Sequence, residues 1–317
     1  MSPHSWRIRI RGLLDRTLRR IGRHVPVLRT LVADAEAARE AFRFVGAGHY
    51  YSPIPSPEQI QVDARRLASA RPRELPGIDL SEGRQLALLE RLRIFYRDIP
   101  FPSTKIPERR YFFKNPAYSY SDAICLYGMI RHVQPRRIIE VGSGYSSCVT
   151  LDTNELFFGN QIGCTFVEPF PALLRSLIKS EDLARIEIIA SPLQNVELAR
   201  FRELEENDIL FIDSTHVSKV GSDVNYIFTQ ILPMLRRGVY VHFHDIFYPF
   251  EYPPAWLKEG RVWTEAYLLR AFLAFNSAYE IVLFNTFLEH FHRSYFEEHM
   301  PLCLKNEGGS IWLRRRS

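Results

Sequence analysis

The stretch "RRIIEVGSGYSSCVTLDTNE", residues 136–155, places a short apolar run directly before two closely spaced glycines and a helix-like segment. Glycines at a strand-to-helix junction let a ligand approach the backbone, and the first turn of the helix offers unpaired N–H groups. Gly142 and Gly144 therefore mark a candidate ligand-binding turn. Because such glycines also occur in purely structural turns, the neighbouring residues must decide between the two interpretations.

Two acidic residues flank this turn. Glu140 is the last polar residue of the apolar run, and Glu168 ends the next strand candidate, "CTFVE". In an open parallel sheet, ligands bind beyond the carboxyl ends of the strands, where both acids are expected. A carboxylate at the end of the second strand can accept both hydroxyl protons of a ribose. The pattern predicts a nucleotide-like cofactor, either NAD or S-adenosylmethionine (SAM).

Details of the turn favour SAM over NAD. The dinucleotide pattern G-x-G-x-x-G requires a third glycine, but Ser147 occupies that position. Glu140 would repel a pyrophosphate, whereas it can attract the cationic amino group and sulfonium of SAM.

The rest of the chain alternates strand-like and helix-like segments. Short apolar runs separated by long connections predict a parallel α/β sheet, and their lack of alternation indicates helices on both faces. Helices are expected at 81–96, with Ser81 as the N-cap, and at 121–133. The strand candidates are "RIIEV", "CTFVE", "IEIIA", "DILFID", "GVYVHFHD", "YEIVLFN" and "GSIWLRR".

A second group of polar residues follows the fourth and fifth strands. Asp213 ends the fourth strand, and His242, His244 and Asp245 end the fifth. Asp213, His244 and Asp245 are predicted ligands of a divalent cation, because carboxylates from adjacent strand ends can hold one. Alternatively, His216 or His244 acts as a metal-free general base. In a third interpretation Asp213 caps a helix and the histidines satisfy buried backbone groups.

Taken in order, "IIEVGSGYSS", "DILFIDSTH" and "GVYVHFHDIF" resemble the class I SAM-dependent methyltransferases over residues 118–317. The resemblance implies a Rossmann-like open sheet of about seven strands, mostly parallel with an antiparallel last strand. It also implies roles for individual residues. Those at the methionine end are Glu140, Gly142, Ser143 and Gly144, with Glu168 at the ribose, Ser191 of "ASPLQN" near the adenine, and Asp213 also at the cofactor.

This chain departs from the family pattern in two places. Ser146 stands where many members have a third glycine, and a small serine there can cap the helix. His244 and Asp245 stand where an acid pair is expected in relatives that bind magnesium. The substitution weakens the case for magnesium and opens the possibility of a borderline divalent metal.

These observations predict a methyltransferase that modifies an oxygen of a small molecule or sugar, with assistance from a metal. The aromatic, proline-rich loop after Asp245 is expected to form the acceptor pocket. Tyr267, Phe272 and Phe275 in the following helix are expected to pack in the core. Alternative hypotheses are a metal-dependent hydrolase using "HFHD", an NAD-dependent oxidoreductase, and a non-catalytic, membrane-associated binding module.

Charge and composition define three segments. Residues 1–45 are predicted to be a basic amphipathic helical extension, 46–117 a connector and helical cap, and 118–317 the SAM-binding domain. The net charge of +5 is concentrated in the first thirty residues, which argues against nucleic-acid binding by the whole domain.

Cysteine spacing and the N-terminus suggest the compartment. Four widely spaced cysteines and the lack of an apolar signal core predict free thiols and a cytoplasmic location. Peripheral contact of the basic helix with the inner face of the membrane is a further hypothesis.

Overall fold

The computed structural model describes residues 44–69 and 71–316, together with positions 30, 31, 33, 34, 36 and 37. Its contacts divide the chain into two compact units, Met1–Arg66 and Leu67–Ser317. The six isolated positions are helical, and a turn-rich segment leads into α1 (Pro57–Ser69). Most of the basic extension predicted for residues 1–45 lies outside the described residues.

The second unit contains two long helices followed by alternating strands and helices. The long helices are α2 (Glu82–Tyr96) and α3 (Tyr120–Val133). The strands are β1 (Arg137–Val141), β2 (Gly163–Val167), β3 (Ile186–Ile189), β4 (Ile209–Ile212), β5 (Tyr240–His244), β6 (Tyr279–Phe284) and β7 (Ser310–Arg315). The further helices are α4 (Tyr145–Phe158), α5 (Ala172–Leu177), α6 (Leu198–Arg202), α7 (Asp223–Tyr226), α8 (Pro254–Lys258), α9 (Glu265–Leu273), α10 (Asn285–Phe291) and α11 (Arg293–His299).

The seven strands form one sheet in the order β3-β2-β1-β4-β5-β7-β6. The first five strands pair in parallel, whereas β7 runs antiparallel to both β5 and β6. The predicted open sheet with an antiparallel last strand is therefore confirmed. Each predicted strand lies within two residues of an observed one, because buried strands of a parallel sheet are continuous apolar runs.

Register brings the carboxyl ends of the central strands to one edge. Val141 of β1 is paired with Val167 of β2 and with Ile212 of β4. In turn, Ile212 is paired with Phe243 of β5. The residues that follow these strands therefore begin at the same edge, which is where a doubly wound sheet binds its ligands.

A buried arginine ties the segment between α2 and α3 to the sheet domain. The side chain of Arg110 is fully buried and pairs with Asp152 on α4, at 2.8 Å, and with Asp182 in the 3-10 turn before β3. Glu155 accepts a third bond at 2.7 Å from the guanidinium. Buried charges are tolerated when they are paired in this way. Arg110 thus joins three parts of the chain that are distant in sequence.

Several local predictions were wrong. Ser81 precedes α2 with φ 50° and forms no side-chain cap; its hydroxyl oxygen accepts a hydrogen bond from the guanidinium of Arg84 instead. Tyr267 and Phe275 are 42% and 90% exposed, so of the three predicted core aromatics only Phe272 packs against the core. The four cysteines are buried and free, as predicted. Among the described residues, no helix combines the length and apolarity needed to cross a bilayer.

Candidate active site

The glycine turn after β1 can be built only with glycine at its first position. Gly142 has φ 77°, and its N–H donates to the carbonyl of Val167 at 2.9 Å. A Cβ atom there would lie 1.8 Å from the carbonyl oxygen of Asp213. Gly144 differs, because its backbone is extended and a Cβ atom would meet only Leu173, at 3.4 Å. The turn therefore packs backbone to backbone against the segment that follows β4.

Glu140 lies fully buried beneath this turn. The hydroxyls of Ser146 and Ser147 donate to its Oε1 at 2.6 and 2.9 Å. Burial raises the pKa of Glu140 to about 8, although both serines act in the opposite direction. Within the described residues, Glu140 Oε2 and Ser143 Oγ have no hydrogen-bond partner. Two orphaned polar atoms beside a glycine turn suit the charged end of a ligand such as SAM.

Ser146, which was predicted to cap α4, instead donates its hydroxyl to a buried carboxyl group. Ser146 binds Glu140, and it is Ser147 whose Oγ accepts the N–H of Gly144 at 3.1 Å. Ser146, which stands at the position of the expected third glycine, therefore supports the buried carboxyl group of Glu140.

Glu168 stands at the end of β2, where the sequence predicted it. Its carboxylate accepts the N–H of Ser143 at 3.3 Å and that of Phe170 at 2.8 Å. Gly142, Glu168 and Asp213 line one cavity of about 390 Å³. We call this cavity the donor pocket. Its volume lies within the range typical of small-molecule sites.

Ser191 lies beside the donor pocket rather than in its lining. Its N–H donates to Ile189 at 2.9 Å, and its hydroxyl faces the carbonyl of Pro192 at 3.4 Å. Pro192, Leu193 and Gln194 form this part of the wall instead. The segment "ASPLQN" therefore reaches the donor pocket through its later residues, and its place near the adenine stays a prediction.

Asp213, His216 and Asp245 come together after β4 and β5. Each offers one ligand atom, and these three atoms lie within 4.8 Å of one another. The Nε2 atom of His216 is 3.3 Å from Asp213 Oδ1 and 3.6 Å from Asp245 Oδ2. The structure therefore brings His216 to both aspartates, whereas the predicted ligand His244 lies 3.5 Å from Asp245 and is not part of this group. We call these three residues the acid cluster.

The backbone at this site is held in uncommon conformations. His216 and Asp245 have φ values of 60° and 57°, in a region that non-glycine residues adopt at a cost. The carbonyl of His216 accepts the N–H groups of Thr264 and Glu265, at 2.9 and 3.1 Å. The start of α9 thus fixes the turn that directs His216 towards the aspartates.

Glu265 completes the site, and the sequence analysis missed it. Its buried carboxylate lies 2.8 Å from His216 Nδ1 and accepts the hydroxyl of Ser214 at 3.0 Å. A carboxylate on one imidazole nitrogen orients the ring and leaves the other nitrogen available. Here the other nitrogen is Nε2, which faces Asp213 and Asp245. This is the arrangement expected behind a histidine that binds a metal.

The charges around His216 help to distinguish a divalent cation site from a metal-free general base. Burial lowers the pKa of His216, but the carboxylates of Asp213 and Glu265 outweigh it and raise that pKa to about 10. The raised pKa favours the protonated ring at neutral pH, which disfavours His216 as a general base. Burial raises the pKa of Asp213, but the nearby histidines His244 and His216 lower it by more. The pKa of Asp213 therefore lies below its usual value. The carboxylates of Asp213, Asp245 and Glu265 thus surround the His216 ring and favour a positive charge at this site.

The two histidines of β5 occupy the same side of the strand, as alternation predicted. Their rings stack with centroids 6.1 Å apart. His244 Nε2 lies 3.5 Å from Asp245 Oδ1. His242 is fully buried between Phe211 and Trp312, and neither ring nitrogen has a partner within the described part of the chain. Burial holds the pKa of His242 well below its usual value. His242 is therefore a neutral core residue.

The loop after Asp245 covers the acid cluster with aromatic rings. The ring of Trp263 lies 4.4 Å from that of His216. Trp256 packs on Trp263 at 5.2 Å, and Phe247 packs on Trp256, also at 5.2 Å. Tyr252 joins the group through Trp263, at 5.8 Å. We call these four aromatic residues the aromatic cover.

Comparison with known proteins identifies the class. Residues 139–246, which extend from β1 to just beyond Asp245, match the family model described as a methyltransferase domain. An uncharacterized protein of Archaeoglobus fulgidus is 33% identical over 178 residues, which represent 54% of this chain and 78% of that protein.

Solved structures with similar folds include other methyltransferases. A SAH-bound methyltransferase of Podospora anserina, PaMTH1, is 16% identical, with a TM-score of 0.41 over 84% of this chain and 99% of its own. The O-methyltransferase TomG of Streptomyces achromogenes, solved with SAM, is 17% identical, with a TM-score of 0.39 over 73% and 90%. Likenesses this distant identify neither an acceptor nor a metal.

The strand order, the glycine turn and the matched domain define a Rossmann-like methyltransferase. The chain contains a methyltransferase domain at residues 139–246, is an enzyme of that type, and has the sheet order expected of the class I SAM-dependent methyltransferases. SAM is the methyl donor that gives the class its name.

Proposed function

We propose that this enzyme methylates a hydroxyl oxygen of a small-molecule or sugar acceptor, with a divalent cation held by the acid cluster. The observation that carries the proposal is the position of Asp213. Asp213 lines the donor pocket together with Glu168, and its carboxylate also belongs to the acid cluster. A donor and an activated acceptor bound at these two places would be neighbours, which is the main requirement of a group transfer.

The residues of the donor pocket suit SAM. Glu140 Oε2 and Ser143 Oγ belong to residues outside the lining but close to Gly142 in the sequence; they lack partners among the described residues and would bind the charged methionine end. Glu168 would accept the ribose hydroxyls, and Leu193 with Gln194 would lie beside the adenine. Gly142 allows the backbone to approach the ligand. When bound, SAM supplies a methyl group made electrophilic by the sulfonium.

The proposed reaction is a displacement at that methyl carbon. A bond forms between the acceptor oxygen and the methyl carbon, while the carbon–sulfur bond breaks and its electron pair remains on sulfur. The hydroxyl proton passes from the acceptor to a carboxylate of the acid cluster and then to solvent. The protein contributes by aligning the two reactants, by excluding water with the aromatic cover, and by favouring loss of the proton.

The acid cluster offers two carboxylate oxygens and one imidazole nitrogen. Glu265 orients the imidazole from behind. A cation bound here would supply a Lewis acid that stabilises the developing alkoxide. Because a nitrogen ligand is less suited to Mg²⁺, we expect Mn²⁺ or Zn²⁺ to bind more tightly. His244 would then support Asp245, at 3.5 Å, rather than bind the metal as predicted.

Calorimetric titration with S-adenosylhomocysteine tests the donor site. We expect binding with a Kd of about 1–100 μM, and a weakening of at least tenfold in Glu168→Ala, because two ribose hydrogen bonds are lost. Glu181→Ala, at an exposed position of the 3-10 turn before β3, is the matched control. NAD serves as the competing ligand. Tight binding of NAD, or unchanged affinity in Glu168→Ala, would refute the assignment.

Metal titrations test the acid cluster without requiring an acceptor. We expect Mn²⁺ to bind the protein saturated with S-adenosylhomocysteine, and Asp245→Asn to abolish that binding. Asp98→Asn, at an exposed position after α2, is the control. Because Asp245 is absent from the lining of the donor pocket, Asp245→Asn should retain its affinity for S-adenosylhomocysteine. Equal Mn²⁺ affinity in Asp245→Asn and wild type would show that the cluster is not the metal site.

The structure does not favour the rival hypotheses. The hydrolase hypothesis relied on both histidines of "HFHD", but His242 is enclosed between Phe211 and Trp312, away from the acid cluster. The oxidoreductase hypothesis requires a pyrophosphate beside Glu140. We retain the cytoplasmic location and the membrane contact of residues 1–45 as proposals, and a lipid-binding test is given below.

A further inference from the structure

A second cavity, of about 290 Å³, lies beside the loop that follows β5. One side is formed by Phe247, Tyr248 and Tyr252, and the other by α10 and the start of α11. Leu304 and Glu307, which precede β7, close it. Because Phe247 and Tyr252 also belong to the aromatic cover, the cavity and His216 lie on a continuous set of packed rings.

A chain of buried polar groups begins at the floor of this cavity. Glu289 lines the cavity, and its carboxyl group accepts the hydroxyl of Ser121 and the N–H of Gly308, the latter at 3.1 Å. The side-chain amide of Asn285 lies 3.5 Å from Ser121 Oγ and 3.3 Å from Asp122 Oδ1. These residues come from three separate parts of the chain, and all of them are buried.

The same chain continues to the acid cluster. Asp122 Oδ2 accepts the N–H of Gly309 at 3.1 Å, and the next residue, Ser310, is paired with His244 of β5. His244 Nε2 lies 3.5 Å from Asp245 Oδ1. The cavity is thus connected to the acid cluster by both ring packing and buried polar groups. The donor pocket reaches the same cluster separately, through Asp213.

The lining indicates what the cavity can hold. Arg71 and Arg293 offer donors, and Glu251 and Glu307 offer acceptors, so that two positive and two negative charges compensate. A strongly charged ligand would gain little from such a balance, whereas hydroxyl groups can use donors and acceptors alike. Burial raises the pKa of Glu289 to about 8, so that its carboxyl group can also donate at neutral pH.

Shape and size narrow the choice further. Aromatic rings and three prolines provide flat apolar surfaces between the polar groups. The volume lies at the lower end of the range for small-molecule sites, which suits one ring with its substituents. We infer that this cavity, here called the acceptor pocket, binds a neutral, hydroxyl-rich ring compound of the size of a monosaccharide. The inference rests on the proposed function, because it assigns the methyl acceptor.

Saturation-transfer NMR tests the acceptor pocket directly. The probes are the methyl glycosides of glucose, galactose and mannose, each added to the protein in Mn²⁺-free buffer, with and without S-adenosylhomocysteine. We expect transfer to at least one glycoside. Leu304→Trp should reduce its affinity at least about tenfold by filling the cavity, and Glu307→Gln should reduce it by a factor of about three through a weaker hydrogen bond. Leu156→Trp, at an exposed position on α4, is the matched control.

Each outcome bears on the inference. Absence of transfer to all three glycosides, or unchanged affinity in Leu304→Trp, would overturn it. Binding of glucose 6-phosphate in preference to the neutral glycosides would overturn the neutral class. Leu304→Trp must retain its affinity for S-adenosylhomocysteine, because Leu304 does not line the donor pocket. Failure of S-adenosylhomocysteine to bind would count against the proposed function alone, since glycoside binding is measured independently.

Discussion

Gly142 is the residue at which the structure tolerates least change. An alanine there would combine φ 77° with a Cβ atom placed 1.8 Å from the backbone oxygen of Asp213. The backbone of Asp213 cannot move easily, because its N–H is bonded to Val141 at 2.8 Å. The cost of left-handed backbone for alanine is about 1 kcal/mol, and displacement of packed backbone adds to it.

We therefore expect Gly142→Ala to lower the free energy of unfolding by at least about 2 kcal/mol and to weaken binding of S-adenosylhomocysteine. Gly144→Ala is the matched control. Its backbone is extended and its Cβ atom would make an ordinary contact with Leu173, so its stability should change by less than about 1 kcal/mol. Urea denaturation measures both. Equal losses in the two variants would contradict the assignment of Gly142 as the critical glycine.

Glu265 is expected to act through His216 rather than by touching a substrate. Glu265→Gln should lower Mn²⁺ affinity by about 10- to 100-fold, because the amide orients the imidazole less well than a carboxylate. Glu259→Gln, at an exposed position after α8, is the control. A purely structural role would instead lower the melting temperature and leave the Mn²⁺ affinity of the folded protein unchanged.

The residues that could be predicted lie at the end of a strand or directly after it. Glu140, Glu168, Asp213 and Asp245 were located in this way, since register places strand ends together. His216 was predicted only as a base. Its position depends on a left-handed turn, and no sequence pattern specifies such a turn for histidine.

Glu265 was missed for a related reason. An acidic residue in the first turn of a helix is ordinarily a partner of the helix dipole, and its burial against His216 depends on tertiary packing.

At the scale of elements, the strands were predictable and the caps were not. Short, mainly apolar runs marked all seven strands, and the central strands β1, β4 and β5 are the most completely buried. The antiparallel direction of β7 came from the resemblance to the family. Ser81 forms no side-chain cap because its own backbone is in the left-handed conformation, which the local sequence does not reveal.

Arg110 is expected to be the strongest link between the early segment and α4. Arg110→Met should lower the free energy of unfolding by about 3–5 kcal/mol, because Asp152 and Asp182 would remain buried without their partner. Arg175→Met, at an exposed position on α5, should change it by less than about 0.5 kcal/mol. Urea denaturation followed by circular dichroism measures both, and equal midpoints would refute the role of the buried network.

The proposed boundary at residues 117 and 118 has a consequence for isolated domains. Arg110 lies before that boundary, whereas Asp152 and Asp182 lie after it. We therefore expect a protein shortened to residues 118–317 to be less stable than one that begins at residue 71.

For the whole molecule, buried carboxyl groups predict how stability depends on pH. Burial raises the pKa of Glu289 to about 8, whereas in the unfolded chain it is about 4.5. Between these values the folded state holds a proton that the unfolded state releases. The contribution of Glu289 to the free energy of unfolding is therefore highest at low pH, where this residue is protonated in both states. The contribution falls as pH rises from about 5 to about 8, because the unfolded state releases this proton more readily.

Glu289→Gln should remove this dependence. The variant should lose less stability than wild type between pH 5 and pH 8, with a difference of up to a few kcal/mol. Denaturation curves at several pH values measure it, and Glu259→Gln serves as the exposed control. Parallel pH profiles for wild type and Glu289→Gln would show that the carboxyl group is ionised in the folded state.

The basic first segment leads to a prediction about the full chain. Arginines near an anionic surface contribute about 1 kcal/mol each, so the full-length protein should float with phosphatidylserine vesicles. A protein lacking residues 1–45 should not, and neither should float with neutral vesicles. Equal behaviour of the two proteins on anionic vesicles would remove the membrane proposal.

The close contact between Gly142 and the backbone of Asp213 has an implication for protein engineering. The turn that would hold the methyl donor and the turn that begins the acid cluster fit each other atom to atom, although they are about seventy residues apart. Grafting either loop alone from a related enzyme would leave a mismatch at this contact. Exchange of donor or metal preference between relatives should therefore succeed only when both loops are transferred together.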